Sequence, residues 1–186
     1  MTLEKGDFIL INYTAKVKET NDVFDTTLEE VAKKEHLYKE GEVYEPKLIV
    51  IGEGWMLKAV DESLETMKLN KAQSVEVPSD KAFGPRDPEK LKRVPLKQLL
   101  AKDVHNPTIG MRIDYNGKMA TIRSIGAGRV LLDFNPPLAG RTLIYDVTVD
   151  KKFAANEEKV IALIHRRIPI VDSEKFKFTI QKETLA

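Results

Sequence analysis

FILINYTAKV, residues 8–17, sets Ile9, Ile11, Tyr13, Ala15 and Val17 at every second position. Successive side chains of a strand point to opposite faces, so these five share one apolar face and Tyr13 looks into a core or a pocket. The segment RTLIYDVTV, residues 141–149, repeats the texture with Leu143, Tyr145, Val147 and Val149 on one face. It resembles the first segment more than the runs just before it. A chain of this kind leaves one sheet, builds a satellite and returns.

Working outward, PKLIVI (46–51) reads as a second strand, stopped by the turn GEG at 52–54. In MLKAVDESLETM (56–67), Leu57, Val60, Leu64 and Met67 recur at spacings of three and four, the stripe of an amphipathic helix of about three turns. AQSVEVP (72–78) is a further strand, and it leads into KAFGPRDPEK (81–90), whose Gly and two Pro break regular structure. Residues 28–40 read as a short helix or a structured loop ended by Gly41.

Between 87 and 134 the texture changes. VPLKQLLA (94–101) reads as one or two helical turns, and MRIDY, MATIRSI and RVLLDF are three short alternating runs joined by NGK and GAG. Asn116-Gly117 is a strong hairpin signal, because both central residues of a type I′ turn need positive φ. This stretch is expected to be a three-stranded meander with its own small core. Near the end, Asn156 is placed to cap a helix with Glu157 and Glu158 in its first turn and His165, Arg166 and Arg167 in its last, the order the helix dipole favours. Pro169 follows as a stop, and FKFTI (176–180) alternates once. A helix and one strand cannot bury both apolar faces alone, so this piece packs on the main body, dimerises or begins a further domain.

Composition narrows the chemistry. With 186 residues, 42% of them hydrophobic, and a formal net charge of +1, the chain can bury a core but presents no overall basic surface for nucleic acid. No apolar run approaches the ~18–20 residues of a membrane span, and MTLEKGDF lacks the apolar core of a secretory signal, so a cytoplasmic location without membrane contact is the default expectation. The absence of cysteine removes disulfides, thiol catalysis and thiolate metal sites together. His36, His105 and His165 have no metal-ligand spacing and read as surface residues; no metal and no cofactor are expected. There is no GxSxG, and GEG and GAG lack the lysine and spacing of a phosphate loop. KLKR (90–93) and HRR (165–167) lack interleaved aromatic residues, so solvated faces are favoured over nucleic-acid contact.

What remains is a set of apolar and aromatic residues with one odd carboxylate, Asp25 of VFDTT (23–27). Alone, it reads as a turn-former accepting backbone N–H bonds. With NYTAKV, VFDTT, GEGWMLKAVDESL, AFGPRDP, FNPPLAG and TLIYDV in this order, however, the chain resembles the FK506-binding protein family of peptidyl-prolyl isomerases. It is most similar to the SlyD-like and archaeal members that carry a chaperone domain inserted in the flap. The resemblance runs from about residue 5 to 153.

This resemblance implies an α+β fold, an antiparallel sheet wrapped around a short helix. It divides the chain into an isomerase domain of residues 1–86 and 135–153, an inserted β-rich domain of residues 87–134, and a C-terminal helix-strand extension of residues 154–186. The implied pocket is walled by Tyr13, Phe24, Phe83 and Tyr145, with Asp25 at its edge, Val60 at its floor and Leu138 on its rim. Met56 and Leu57 lie where family members offer a backbone amide and an apolar side chain. For Tyr13, Leu57, Val60 and Tyr145, periodicity leaves plain core packing open. The inserted domain would bind unfolded chains through Val94, Leu96, Leu99, Leu100, Ile109, Met111, Ile113 and Met119, the alternative being that most of them form its own core. Implied partners are unfolded or partly folded polypeptides and proline-containing peptides, with dimerisation through the C-terminal region left open.

The pattern also departs from the family. Val60 is small where many eukaryotic members carry Trp, which argues against tight macrolide binding. Phe83 stands where a Tyr hydroxyl often donates, and the histidine-rich tail behind nickel binding is missing. Residues 28–45 lengthen the segment after FDTT and are given no role by the resemblance. A holdase with this fold and little isomerase activity is the alternative reading. In the favoured one, Asp25 orients the site by hydrogen bonding, with Tyr13 as its candidate partner, rather than by moving a proton.

Overall fold

The computed structural model describes residues 2–101 and 104–170. The strand expected at 176–180 lies outside the described residues. The chain divides into two compact units, one built from the residues up to Ala82 together with those from Thr142 onward, the other Phe83–Arg141.

The first unit is a five-stranded antiparallel sheet. Its centre is β1 (Phe8–Val17) paired along its whole length with β9 (Leu143–Phe153). The other edge of β1 is shared by two short strands: β2 (Val23–Thr26) pairs with residues 14–16, and β3 (Lys47–Val50) pairs with residues 8–11. β4 (Ala72–Val77) closes the far side against β9. The alternation expected from the sequence is observed: Ile9, Ile11, Tyr13, Ala15 and Val17 are all buried, as are Leu143, Tyr145, Val147 and Val149. The core they form is completed by Val60 and Leu64 of the short helix α2 (Lys58–Leu64), both fully buried.

Three local expectations change in this unit. Helix α2 has seven residues rather than three turns. The Ser63 and Thr66 hydroxyls donate back to the Val60 and Ser63 carbonyls, and Thr66 and Met67 make i→i−3 bonds, so side chain and backbone together tighten and end the helix. Residues 28–40 begin with helix α1 (Glu29–Lys34), which stops at His36, a residue of positive φ, well before Gly41. The loop beyond is tied by Tyr44, whose ring stacks on Tyr38 at 5.6 Å and whose hydroxyl donates to the Leu37 carbonyl. Helix α4 (Asn156–Arg167) has the expected order of charges, but Asn156 is its first helical residue and caps nothing. The Lys159 amide bonds to the Ala155 carbonyl, which starts the helix one residue earlier.

The second unit has four antiparallel strands, not three. β6 (Arg112–Asp114), β7 (Met119–Gly126) and β8 (Arg129–Asp133) are the expected runs, and Asn116 and Gly117 both have positive φ. The additional strand is β5 (Leu91–Pro95), which pairs with β8 at the sheet edge. It covers most of the basic run KLKR. Arg93 points to the outer face, whereas Lys92 shares the inner face with buried Val94 and stays exposed with its Nζ 5.9 Å from the centre of the Tyr115 ring. Helix α3 (Leu96–Leu100) follows directly. The core of this unit includes Val94, Leu99 and Ile113 together with Tyr115, Ile122, Val130 and Leu132.

Candidate functional site

The site begins with the backbone of β1. At Tyr13 the main chain is clamped by the two threonines of VFDTT, both buried: the Tyr13 amide donates to the Thr27 hydroxyl at 2.9 Å, the Thr27 amide donates to the Tyr13 carbonyl at 3.0 Å, and the Thr26 hydroxyl adds a bond to the same carbonyl at 3.2 Å. These bonds fix the end of β2 against β1 just beyond the Thr14–Thr26 pair, while the ladder is irregular farther along, between Ala15 and Lys16. Asp25 is thereby set opposite Ala15, and its Oδ2 accepts a hydrogen bond from the Tyr13 hydroxyl at 2.7 Å. The hydroxyls therefore hold the strand and the carboxylate holds the ring.

Three aromatic rings meet here. The Tyr13 and Tyr145 ring centres are 6.0 Å apart, and Phe24 stands edge-on to Tyr145 at 6.2 Å. Burial, then the hydrogen bond to Asp25 and its charge, push the Tyr13 phenol well above the usual tyrosine range. Burial and the Asp25 charge push Tyr145 up to about 12. Both phenols therefore stay neutral through the physiological range, and Tyr13 stays a donor.

Tyr13 and Tyr145 open into a cleft of about 1070 Å³, whose walls also include Asp25, Trp55, Met56 and Leu57; Phe24, expected as a wall, stands behind Tyr145 and is not among the lining residues. Leu57 precedes the first turn of α2, so its N–H belongs to the set that has no acceptor within the helix. The turn before it is held by Asp61, a buried side chain of α2 that accepts from the Gly52 and Gly54 amides at 3.1 and 3.3 Å. This bond aims Trp55, Met56 and Leu57. Val60, expected at the pocket floor, is fully buried in the core and does not line the cleft.

Several wall residues were not found by reading the sequence. Lys47, at the start of β3, lines the cleft and donates to the Tyr13 hydroxyl oxygen at 3.2 Å. Glu45 and His165 meet at 2.9 Å, and the Arg166 guanidinium lies 3.6 Å from the centre of the Trp55 ring. Arg166 and His165 were expected on a solvated face; the aromatic and acidic residues opposite them, more than a hundred positions away in sequence, give them partners instead. The chain's single tryptophan, exposed by sequence beside two glycines, was the available signal.

Of the other expected site residues, Phe83 and Leu138 belong to the second unit, where Phe83 is 44% exposed. Among the residues assigned to chain binding, Val94, Leu99 and Ile113 are buried core and so are not surface groups; strand and helix periodicity turns them inward. Leu96 is half-buried, while Leu100, Ile109, Met111 and Met119 are exposed. Among the described residues no cluster of His, Asp and Glu is arranged to hold a metal ion, and no helix is long and apolar enough to cross a membrane.

Two family models match the chain: FKBP-type peptidyl-prolyl cis-trans isomerase over residues 1–105, and FKBP26, IF domain, over residues 92–138. Among curated proteins, the short-type peptidyl-prolyl cis-trans isomerase of Methanocaldococcus jannaschii is 32% identical over 147 residues, 79% of this chain and 92% of that protein. The FKBP-type peptidyl-prolyl cis-trans isomerase SlyD of Helicobacter pylori is 22% identical over 84% of this chain and 78% of its own. The FKBP-type 16 kDa isomerase of Escherichia coli is 26% identical over 56% of this chain and 72% of its own. With its antiparallel α+β architecture, the chain belongs to the family of FKBP-type peptidyl-prolyl cis-trans isomerases.

Proposed function

We propose that the cleft beside Tyr13, Phe24 and Tyr145 is where this protein accelerates rotation about X–Pro bonds, and that the inserted unit binds unfolded chains. The observation that carries the first part is the contact of three rings, Phe24 on Tyr145 and Tyr145 on Tyr13, with the Tyr13 hydroxyl held by the Asp25 carboxylate.

Amide resonance sets a barrier of ~18–20 kcal/mol to the rotation, and uncatalysed X–Pro exchange takes tens to hundreds of seconds. No bond breaks, so neither nucleophile nor metal is required. The twisted amide has less charge separation than the planar one. Water and strong donors favour the planar form; a dry aromatic wall withholds them and grips the proline ring, which narrows the gap to the twisted state. In this reading the Leu57 amide and the Met56 and Leu57 side chains position the neighbouring residues of the peptide. Asp25 orients Tyr13.

A proline-limited refolding assay tests this reading. Asp25→Ala should lower kcat/KM partially, and Phe24→Ala or Tyr145→Ala should cost as much or more. Abolition by Asp25→Asn together with indifference to Phe24→Ala would reject the ring-lined mechanism in favour of proton transfer.

For the inserted unit, the support is the exposure of Leu100, Ile109, Met111 and Met119 on a small domain whose core is already filled by other residues. Methionine adapts to varied apolar partners, and exposed apolar groups of this kind mark interaction surfaces. The proposed clients are unfolded polypeptides, with a cytoplasmic location.

A further inference from the structure

β3 pairs antiparallel with β1 so that Ile49 lies opposite Ile9 and Lys47 lies opposite Ile11. Residues opposite each other in a ladder point to the same face, so this register turns Lys47 toward the face that carries Ile9, Ile11 and Tyr13. Ile49 continues the apolar pattern at its position. Lys47 breaks it, at the start of the strand, where it lines the cleft with Leu48 and Ile49.

The lysine's partner there is a phenol. Its Nζ donates to the Tyr13 hydroxyl oxygen at 3.2 Å and lies 5.4 Å from the centre of the Tyr13 ring, and among the described residues it has no carboxylate within ion-pair reach. A tyrosine hydroxyl has one proton and two lone pairs. The proton goes to Asp25 at 2.7 Å, and the ammonium occupies a lone pair, so donor and acceptor sites are both directed by neighbours. Such a chain of bonds polarises its members and holds the middle one more firmly than either bond alone.

We propose that Lys47 is a positioning residue for prolyl isomerisation: with Asp25 it fixes the Tyr13 ring and keeps the Tyr13 proton directed at Asp25, not at the substrate carbonyl. The proposal rests on the isomerase reading of the cleft. A proton offered to the substrate carbonyl would favour the planar amide, so loosening Tyr13 should slow turnover more than it weakens binding. The ammonium also offsets the Asp25 charge across the ring, leaving a weaker field at the pocket edge.

The test is a double-mutant cycle in the full chain, reading kcat and KM for a proline peptide in wild type, Lys47→Met, Tyr13→Phe and the double variant, with Lys47→Arg as rescue and a melting curve of each as fold control. Lys47→Met should lower kcat about fivefold, the scale of one ordinary net hydrogen bond, while KM moves less than about twofold. Lys47→Arg should recover most of the loss, and in the Tyr13→Phe background the Lys47→Met change should be nearly silent. An equal loss with and without the Tyr13 hydroxyl, or a change confined to KM, would overturn the proposal while leaving the isomerase reading intact. A wild type that does not accelerate exchange at all would overturn both.

Discussion

Asp25 is bonded to a phenol, and that choice of partner separates orientation from acid-base chemistry. A carboxylate meant to shuttle protons gains from a partner that titrates near neutrality; Tyr13 instead is held far above that range by burial and by Asp25 itself. The same displacement has a consequence for stability. Tyr145, at an ordinary 10.0 when free, is pushed up to about 12 in the fold, so above pH 10 the unfolded chain loses its proton first. Stability from this group is complete below pH 10 and falls as pH rises from 10 toward 12. Denaturant titrations at pH 8 and pH 11.5 should show the loss, and Tyr145→Phe should make it smaller. An unchanged slope in that variant would mean that the ring is not desolvated as described.

At the scale of the element, the short helix α2 works as a clamp. Asp61 reaches back from it to two turn amides. Removing that carboxylate deprives the Gly52 and Gly54 amides of a charged acceptor, at a cost of about 1.5–3 kcal/mol. Asp61→Ala is therefore expected to lower the unfolding free energy by an amount of that order. It should also reduce kcat/KM, because Trp55, Met56 and Leu57 follow the turn directly. Loss of stability with full activity would show that the turn does not aim these residues. The elements also show what could be read in advance. The faces of β1 and β9 were legible because period two survives wherever one face is buried, and Leu57, Val60 and Leu64 were legible for the corresponding helical reason. The length of α2 was not, since Ser63 and Thr66 end it through bonds no hydrophobic pattern records. Strand β5 was hidden because Lys92 and Arg93, one on each face, sit side by side in the sequence and read as a charge run. The contacts of Lys47, His165 and Arg166 depend on register and on distant partners, neither of which a linear pattern carries.

At the scale of the whole molecule, the inserted unit is a self-contained body between Phe83 and Arg141. The neck of the inserted unit is tied by Asn135, which accepts from the Asp87 amide and donates to the Asp87 carbonyl, both at 2.9 Å, and by buried Asp133, which accepts from Arg86 and Arg123. With residues 87 and 135 held this close, residues 87–134 can be replaced by a short linker. The variant should keep its activity on tetrapeptides and lose activity on unfolded protein substrates. Equal loss on both would make the insertion a structural support and not a client-binding module.

The most direct test of the central claim is NMR exchange spectroscopy on a proline-containing peptide with catalytic amounts of the full chain. The account predicts exchange cross-peaks between the cis and trans forms that wild type brings out and Phe24→Ala diminishes. Peptide line-broadening from binding, with the cis/trans rate left at its uncatalysed value, would contradict it and leave a holdase built on the same fold.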